Sequence, residues 1–94
     1  MPVKRYVLDG RAVHSVKAFY DEIERLFPLP EYFGRNLDAL ADVLTTDIEG
    51  PCELVWEHTL LSKKALKGDY TKIAAMLKRV SDERDDFRVT FKGK

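Results

Sequence analysis

Three short β-rich segments separated by long helical stretches place the strongest constraint on the fold of this chain. Residues 3–8, 53–57 and 87–91 contain β-branched, aromatic and other apolar residues, as strands do. The stretches between them are long enough to hold helices, and strands joined by helical crossovers lie parallel. The sequence therefore predicts an α/β fold: a three-stranded parallel sheet packed with about four helices, in the order βααβααβ.

Capping residues and apolar stripes predict where the helices lie. Ser15 and Asn36 are side chains that cap helix N-termini, so helices are predicted from Val16 to about Leu26 and from residue 37 to about 46–48. A third helix is predicted over residues 59–67, ended by Gly68. Asp69 is predicted to cap a fourth helix, whose apolar stripe consists of Ile73, Met76, Leu77 and Val80.

Length and composition limit the class of protein. At 94 residues the chain has room for one core, which predicts a single domain over 1–94. Its 45% hydrophobic and 34% charged content is typical of a soluble globular protein. No apolar run approaches the roughly 20 residues of a membrane span. The first six residues lack the apolar segment of a signal peptide, and Cys52 is the lone cysteine; both features predict a cytoplasmic location.

The charges are segregated along the chain, although the net charge is zero. Residues 31–57 hold seven acidic residues and one basic residue, whereas residues 62–79 hold six basic residues and one acidic residue. Charge runs of this kind are usually solvated surfaces; for residues 31–57 the alternative is an acidic docking face. Because the domain is neutral and its informative aromatic residues lie in the acidic half, we predict no nucleic acid and no membrane among its partners.

The second predicted helix gathers its acidic residues on one side. At about 100° per residue, Leu37, Leu40 and Leu44 form an apolar stripe, and Asp38 and Asp42 lie together away from it. Like charges at this spacing repel by a few tenths of a kcal/mol. The helix dipole offsets part of that cost at Asp38 but less at Asp42. A helix that tolerates this cost without matching lysines suggests a cationic partner.

Catalytic and metal chemistry find little support in the sequence. Acid–base catalysis needs two carboxyls in different environments, but Asp38 and Asp42 share one exposed face and the same solvent. Cys52 and His58 flank one predicted strand at a separation of roughly 20 Å, too far for a thiol–imidazole pair. His14 and His58 have no second ligand at metal spacing. We therefore predict no catalytic residue, no metal site and no cofactor.

Residues 28–44, which read Pro-Leu-Pro-Glu-Tyr-Phe-Gly-Arg-Asn-Leu-Asp-Ala-Leu-Ala-Asp-Val-Leu, carry a specific motif. This stretch, Pro51 before the strand that contains Trp56, and Ser62-Lys63 together resemble the barstar family, the intracellular inhibitors of guanyl-specific bacterial ribonucleases. The likeness covers essentially the whole chain, although its last third agrees mainly in hydrophobic spacing. The resemblance implies the same βααβααβ fold and a non-enzymatic immunity or antitoxin role.

The resemblance also implies a binding surface on the loop and the second helix. Asp42 would be the central anchor among the cationic catalytic residues of the ribonuclease, and Asp38 would pair with a neighbouring arginine or lysine. Tyr32 would pack on the catalytic histidine. The alternative for the two aromatic residues of the loop is that one of them simply fills the core beneath it. We expect this of Phe33, and we expect Tyr32 to be exposed. The polar contacts would be completed by Gly34, Asn36, Thr45 and Thr46. The implied partner is a basic, extracellular-type ribonuclease or related nuclease toxin, bound one to one by a protein that is a monomer when free.

The implied surface departs from the usual family pattern in three respects. Ala41 stands where the helix commonly carries a tryptophan, and Thr46-Asp47 replaces a glycine–aromatic pair, which removes contact area and adds an acid. Arg79 stands where the best-known members carry a glutamate that meets the enzyme. The alternative function is therefore a barstar-fold interaction module that binds a different nuclease toxin or another basic protein, without ribonuclease inhibition.

Overall fold

The three predicted strands form one parallel sheet. In a computed structural model, which describes residues 3–94, strands β1 (Lys4–Asp9), β2 (Cys52–Glu57) and β3 (Phe87–Phe91) lie in the order β1-β2-β3. In this register Tyr6 lies beside Leu54, and Leu54 lies beside Val89. The α/β class and the parallel pairing are confirmed, and the strand order, which the sequence pattern leaves open, is sequential.

Within residues 3–94, four α-helices connect the strands: α1 (Val16–Leu26), α2 (Leu37–Thr46), α3 (Thr59–Leu66) and α4 (Gly68–Glu83). A single 3-10 turn over Gly10–Ala12, which the sequence did not predict, follows β1. Both predicted N-caps of the first two helices are confirmed. Ser15 Oγ accepts a hydrogen bond from the Ala18 N–H at 3.0 Å, and Asn36 Oδ1 accepts one from the Ala39 N–H at 2.8 Å. None of these helices is long and apolar enough to cross a membrane.

The junction between α3 and α4 differs from the prediction. Gly68 was predicted to end α3 and Asp69 to cap α4, and both predictions are wrong. Lys67 separates the two helices with φ 54° and ψ −122°, and Gly68 is the first residue of α4. Asp69 lies in the first turn of α4, where the helix dipole favours its charge. The break between the helices therefore depends on a lysine in a backbone region that glycine prefers.

One face of the sheet forms the core with the helices. Its buried side chains are Tyr6, Leu8, Cys52, Leu54, Trp56 and Phe87. Trp56 is fully buried and stacks on Phe19 of α1, with 5.6 Å between the ring centroids. Leu40 and Leu44 of α2 are also fully buried, as predicted, whereas Leu37 is partly buried and packs against the edge of the core. Each such side chain contributes about 1.5–3 kcal/mol when it is fully buried, so α2 is held firmly by its apolar stripe.

The opposite face of the sheet is polar apart from Val7 and Val55, which lie side by side, and it carries a small hydrogen-bonded cluster. Arg5 Nε donates to Glu53 Oε1 at 3.1 Å, and Thr90 Oγ1 donates to Glu53 Oε2 at 2.6 Å. Arg5 lies directly opposite Glu53, whereas Thr90 is in register with Val55 and reaches Glu53 diagonally across the strands. The alternation along β3, which predicts one buried face, is consistent with this arrangement.

Candidate functional site

Arg35 holds the loop between α1 and α2 against α1. Its Nε donates to Glu24 Oε2 at 2.6 Å, and its Nη2 donates to Asp21 Oδ1 at 2.7 Å. The pKa of Arg35 is raised, first by the hydrogen bond to Glu24 and then by that to Asp21. Lys17 and Arg35, by donating to Asp21, hold the pKa of that carboxyl below its usual range. The loop's basic residue is therefore paired with α1 and does not neutralise the acids of α2.

The two aromatic residues of the loop take the opposite environments that the sequence predicts. Tyr32 is 88% exposed. Phe33 is partly buried against the core, and its ring centroid lies 6.0 Å from that of Tyr20. Phe33 therefore anchors the loop, and the phenol ring of Tyr32 is available to a partner.

Asn36 joins the loop to α2 through hydrogen bonds within the chain. Its Oδ1 caps the helix at the Ala39 N–H, and its Nδ2 donates to the Gly34 carbonyl at 2.9 Å. A Cβ at Gly34 would lie 3.3 Å from Asn36 Nδ2, so a side chain there would press on the cap. Both residues are exposed, but the polar groups of Asn36 are already engaged. The hydrogen bonds of Asn36 therefore fit a role in positioning the loop better than a direct contact of its side chain with a partner.

An open groove between α2 and α4 contains the two aspartates predicted to bind a partner. It is lined by Asp38, Ala41, Asp42 and Thr45 of α2 and by Arg79 and Glu83 of α4. Asp38 and Asp42 are exposed. Over residues 3–94 neither carboxylate lies within 4.0 Å of a cationic side chain. Their charges are thus left for solvent or for a partner.

Elsewhere within residues 3–94, six of the sixteen acidic residues have basic partners. Those paired are Asp9, Asp21, Glu22, Glu24, Glu53 and Asp86. The chain has as many basic residues as acidic ones, 16 of each. The unpaired acids of α2 therefore do not follow from a shortage of bases in the sequence.

The remaining predicted site residues occupy different surroundings. Thr45 Oγ1 donates to the Ala41 carbonyl at 2.6 Å, and Thr46 Oγ1 donates to the Asp42 carbonyl at 2.8 Å, so both hydroxyls are left mainly as acceptors. Asp47 lines a separate cleft with Lys4, Tyr6, Pro28 and Glu49. The structure thus brings four of the predicted residues into the groove and places Asp47 outside it.

Two residues of α4 complete the groove: Arg79, which the family resemblance had placed on the implied surface, and Glu83, which was not predicted. Arg79 and Glu83 are one helical turn apart and both line it. Their spacing puts them on one side of α4, beside the buried Val80. The sequence pattern could have shown that they share a face. It could not have shown that this face meets α2, because that contact depends on how the two helices pack.

Within residues 3–94, neither Cys52 nor the possible metal ligands form a further reactive site. The Cys52 thiol is buried, and burial raises its pKa, which lowers its reactivity. In the part of the chain from residue 3 onward, no group of three or more His, Cys, Asp and Glu side chains could hold a metal ion. What the groove and loop offer is an anionic, partly aromatic surface for another macromolecule.

Comparison with known proteins gives a match that spans this whole arrangement. The sequence profile of a family described as "Barstar (barnase inhibitor)" matches residues 3–93. A protein of Bacillus subtilis (strain 168), named "Putative ribonuclease inhibitor YrdF", is 27% identical over 88 residues. That alignment covers 93% of this chain and 97% of the relative. The matches therefore include the sheet, the helices, the loop and the groove.

Proposed function

Because this chain belongs to the barstar family, we propose that it inhibits a bacterial ribonuclease by docking an acidic surface into the enzyme's active site. The surface, called here the α2 surface, consists of Tyr32 on the loop with Asp38, Ala41, Asp42 and Thr45 on the helix. We propose a guanyl-specific enzyme as the target, a one-to-one complex, and an immunity role in the cytoplasm. The protein itself would have no enzymatic activity.

The observation that carries the proposal is the unpaired state of Asp38 and Asp42 on an exposed helix face. A ribonuclease active site is lined by cationic groups that hold phosphate and stabilise a developing negative charge. Side chains four residues apart on a helix are about 5–6 Å apart, so the two carboxylates can take the places of successive RNA phosphates. Because they offer no scissile bond, they would block the site without being turned over.

The α2 surface is held in place before it binds, which favours affinity. Arg35 fixes the loop to α1 through two salt bridges, and Asn36 fixes the loop to the start of α2. A preorganised surface loses less conformational entropy on association. The exposed ring of Tyr32 adds an aromatic group, a residue type enriched among the energetically dominant contacts of interfaces.

Electrostatic steering would speed the encounter with a cationic enzyme, an effect for which the barnase–barstar complex is itself the reference case. Steering between exposed charges weakens as salt shortens the Debye length, from about 10 Å at 0.1 M to about 3 Å at 1 M. The proposed complex should therefore associate more slowly at high ionic strength.

The alternative function is that of a barstar-fold interaction module without ribonuclease inhibition. Two residues of the groove favour it: Ala41 offers no aromatic contact area, and Arg79 places a cation beside the aspartates. Such a module would bind a different nuclease toxin or another basic protein. A ribonuclease gene encoded beside this one would favour inhibition, and its absence would favour the module.

The proposal is tested by measuring binding and inhibition against a panel of guanyl-specific ribonucleases that includes barnase. The wild type is compared with Asp42→Ala, and Asp82→Ala serves as the matched control because Asp82 is exposed and does not line the groove. We expect Asp42→Ala to raise the Kd roughly a hundredfold and Asp82→Ala to change it little. If every panel enzyme is left fully active by the wild type, the module is favoured instead.

A further inference from the structure

We propose that Arg79 determines which partners the α2 surface accepts, and that the partner it fits carries a carboxylate within its cationic patch. This inference rests on the proposed function and deepens it. Arg79 is exposed on α4 and lines the groove together with Asp38 and Asp42. A partner that covers the aspartates must therefore also meet this arginine.

The guanidinium of Arg79 has no anionic partner of its own within residues 3–94. Three carboxylates line the same groove, yet none lies within 4.0 Å of it. Glu83 is four residues further along the helix, but an acid that follows a base at this spacing is the less favourable order. The adjacent base is engaged differently, because Lys78 Nζ lies 5.5 Å from the centre of the Phe91 ring. Arg79 therefore remains available for an intermolecular contact.

The chemistry of arginine specifies what would satisfy it. A guanidinium presents a rigid fork of donors that matches a carboxylate with two parallel hydrogen bonds. A uniformly cationic partner would instead be repelled at this position while it is attracted at Asp38 and Asp42. Ala41 lines the groove with only a methyl group, which leaves space for the partner's side chain to enter. The groove thus combines an attractive and a repulsive element, which is how specific interfaces discriminate between related partners.

The first experiment uses barnase as the probe and compares the Kd of the wild type with that of Arg79→Glu. Lys63→Glu is the matched control, because it makes the same change in net charge at an exposed position on α3 outside the groove. We expect Arg79→Glu to tighten binding by about tenfold or more, and Lys63→Glu to have a much smaller effect. Equal effects of the two variants would overturn the inference, because net charge alone would then explain them. No gain in Arg79→Glu, including no binding by either protein, would overturn it as well.

The second experiment tests whether Arg79 pairs with a carboxylate on the partner. Barnase variants in which single arginine or lysine residues around the active site are changed to glutamate are measured against the wild type and Arg79→Glu. At least one barnase variant should bind the wild-type protein more tightly than unmodified barnase does. The same barnase variant should bind Arg79→Glu more weakly than unmodified barnase does. This reversal of sign in a double-mutant cycle identifies a direct pairing, and its absence from every variant would refute the proposed carboxylate.

The variant Asp42→Ala in the Arg79→Glu background separates this inference from the proposed function. If Arg79→Glu binds barnase more tightly and Asp42→Ala abolishes that binding, the proposed function and the inference on Arg79 both hold. If Asp42→Ala weakens binding but Arg79→Glu does not strengthen it, the proposed function stands and the inference on Arg79 fails. If Asp42→Ala leaves the affinity unchanged in both backgrounds, the α2 surface is not the docking site and both fail.

Discussion

Arg84, at the C-terminal end of α4, donates from Nη1 to the main-chain carbonyl of Leu44 in the last turn of α2, at 2.7 Å. The same nitrogen donates to the Ile48 carbonyl at 2.8 Å, and Nε donates to Asp86 Oδ1 at 2.8 Å. The last turn of α2 contains no basic residue of its own. Arg84 therefore supplies from another helix the positive charge and the donors that a helix C-terminus favours, and it fixes α2 to α4 along the groove.

Replacement of Arg84 by methionine should destabilise the fold and loosen the groove. The side chain is only 11% exposed, and hydrogen bonds to charged groups contribute about 1.5–3 kcal/mol, so we expect a loss of about 2–3 kcal/mol in the free energy of unfolding. Urea denaturation measures this loss in the free energy of unfolding. Arg88→Met is the control, since Arg88 is exposed on the polar face of the sheet. A loss no larger in Arg84→Met than in Arg88→Met would contradict this role.

The variant Ser62→Ala should be strongly destabilising for its size. Ser62 Oγ accepts a hydrogen bond from Trp56 Nε1 at 3.0 Å and donates one to the Gly10 carbonyl at 3.1 Å, and all three residues are buried. Alanine would leave the buried Trp56 N–H without an acceptor, at a cost of about 1–3 kcal/mol. It would also remove one of the two hydrogen bonds to the Gly10 carbonyl, which still accepts from the Val13 N–H at 3.2 Å. Ser81→Ala, which loses one partly buried bond at 3.2 Å, should cost less. Urea midpoints followed by circular dichroism test the order, and equal losses would contradict it.

The elements of this fold follow from local patterns, whereas the contacts that shape the groove do not. Asn36 caps α2 in the structure as its side chain predicts, because an N-cap depends on residues within one turn. The carbonyls that Arg84 binds are 36 and 40 residues away in the chain. No local pattern marks an arginine for such a role. Local patterns therefore predict the acidic face of α2, whereas Arg79 entered the predicted surface only through the family resemblance and Glu83 was not predicted.

Lys67→Gly should stabilise the protein, which is unusual for a glycine substitution. Lys67 has φ 54° and ψ −122°, a region that costs a non-glycine residue about 1–3 kcal/mol. Relief of that strain outweighs the added entropy of the unfolded chain, so we expect a gain of about 1 kcal/mol. Lys64→Gly, at an exposed position in the last turn of α3, should lose up to about 1 kcal/mol by helix propensity. Thermal unfolding of the two variants should shift Tm in opposite directions, and a lower Tm for Lys67→Gly would refute the interpretation.

Stability should fall in acid partly through Glu53. Thr90 Oγ1, and with a smaller effect Arg5, donates to this carboxylate and holds its pKa below the ordinary value of 4.5. A lowered pKa in the folded state means that the unfolded state binds the proton more tightly. The stabilisation is therefore complete above about pH 5 and is lost as pH falls through the folded pKa. Glu53→Gln should flatten the decline in urea stability between about pH 5 and pH 3. Glu31→Gln, at an exposed position on the loop, is the control, and an equal flattening in it would contradict the role of Glu53.

Asp42→Ala should make the free protein more stable while it weakens the proposed complex. Asp38 and Asp42 repel each other on one helix face, by a few tenths of a kcal/mol at low salt, and alanine has the highest helix propensity. Since Asp42 has no cationic partner within residues 3–94, its removal breaks no ion pair there. We expect the free energy of unfolding to rise by about 0.5–1 kcal/mol, as measured by urea denaturation at low ionic strength.

Asp38→Ala provides the contrast on the same helix. Asp38 lies in the first turn of α2, where the dipole stabilises a negative charge by about 0.3–1 kcal/mol, so its removal should give a smaller gain or none. Added salt screens the repulsion and should reduce the advantage of Asp42→Ala, leaving the part that comes from helix propensity. If Asp42→Ala were instead less stable than the wild type, the carboxylate would have a structural role in the free protein. Its effect on binding could then be explained by damage to α2, and Asp42 would no longer be an acid kept at a cost to stability for a partner.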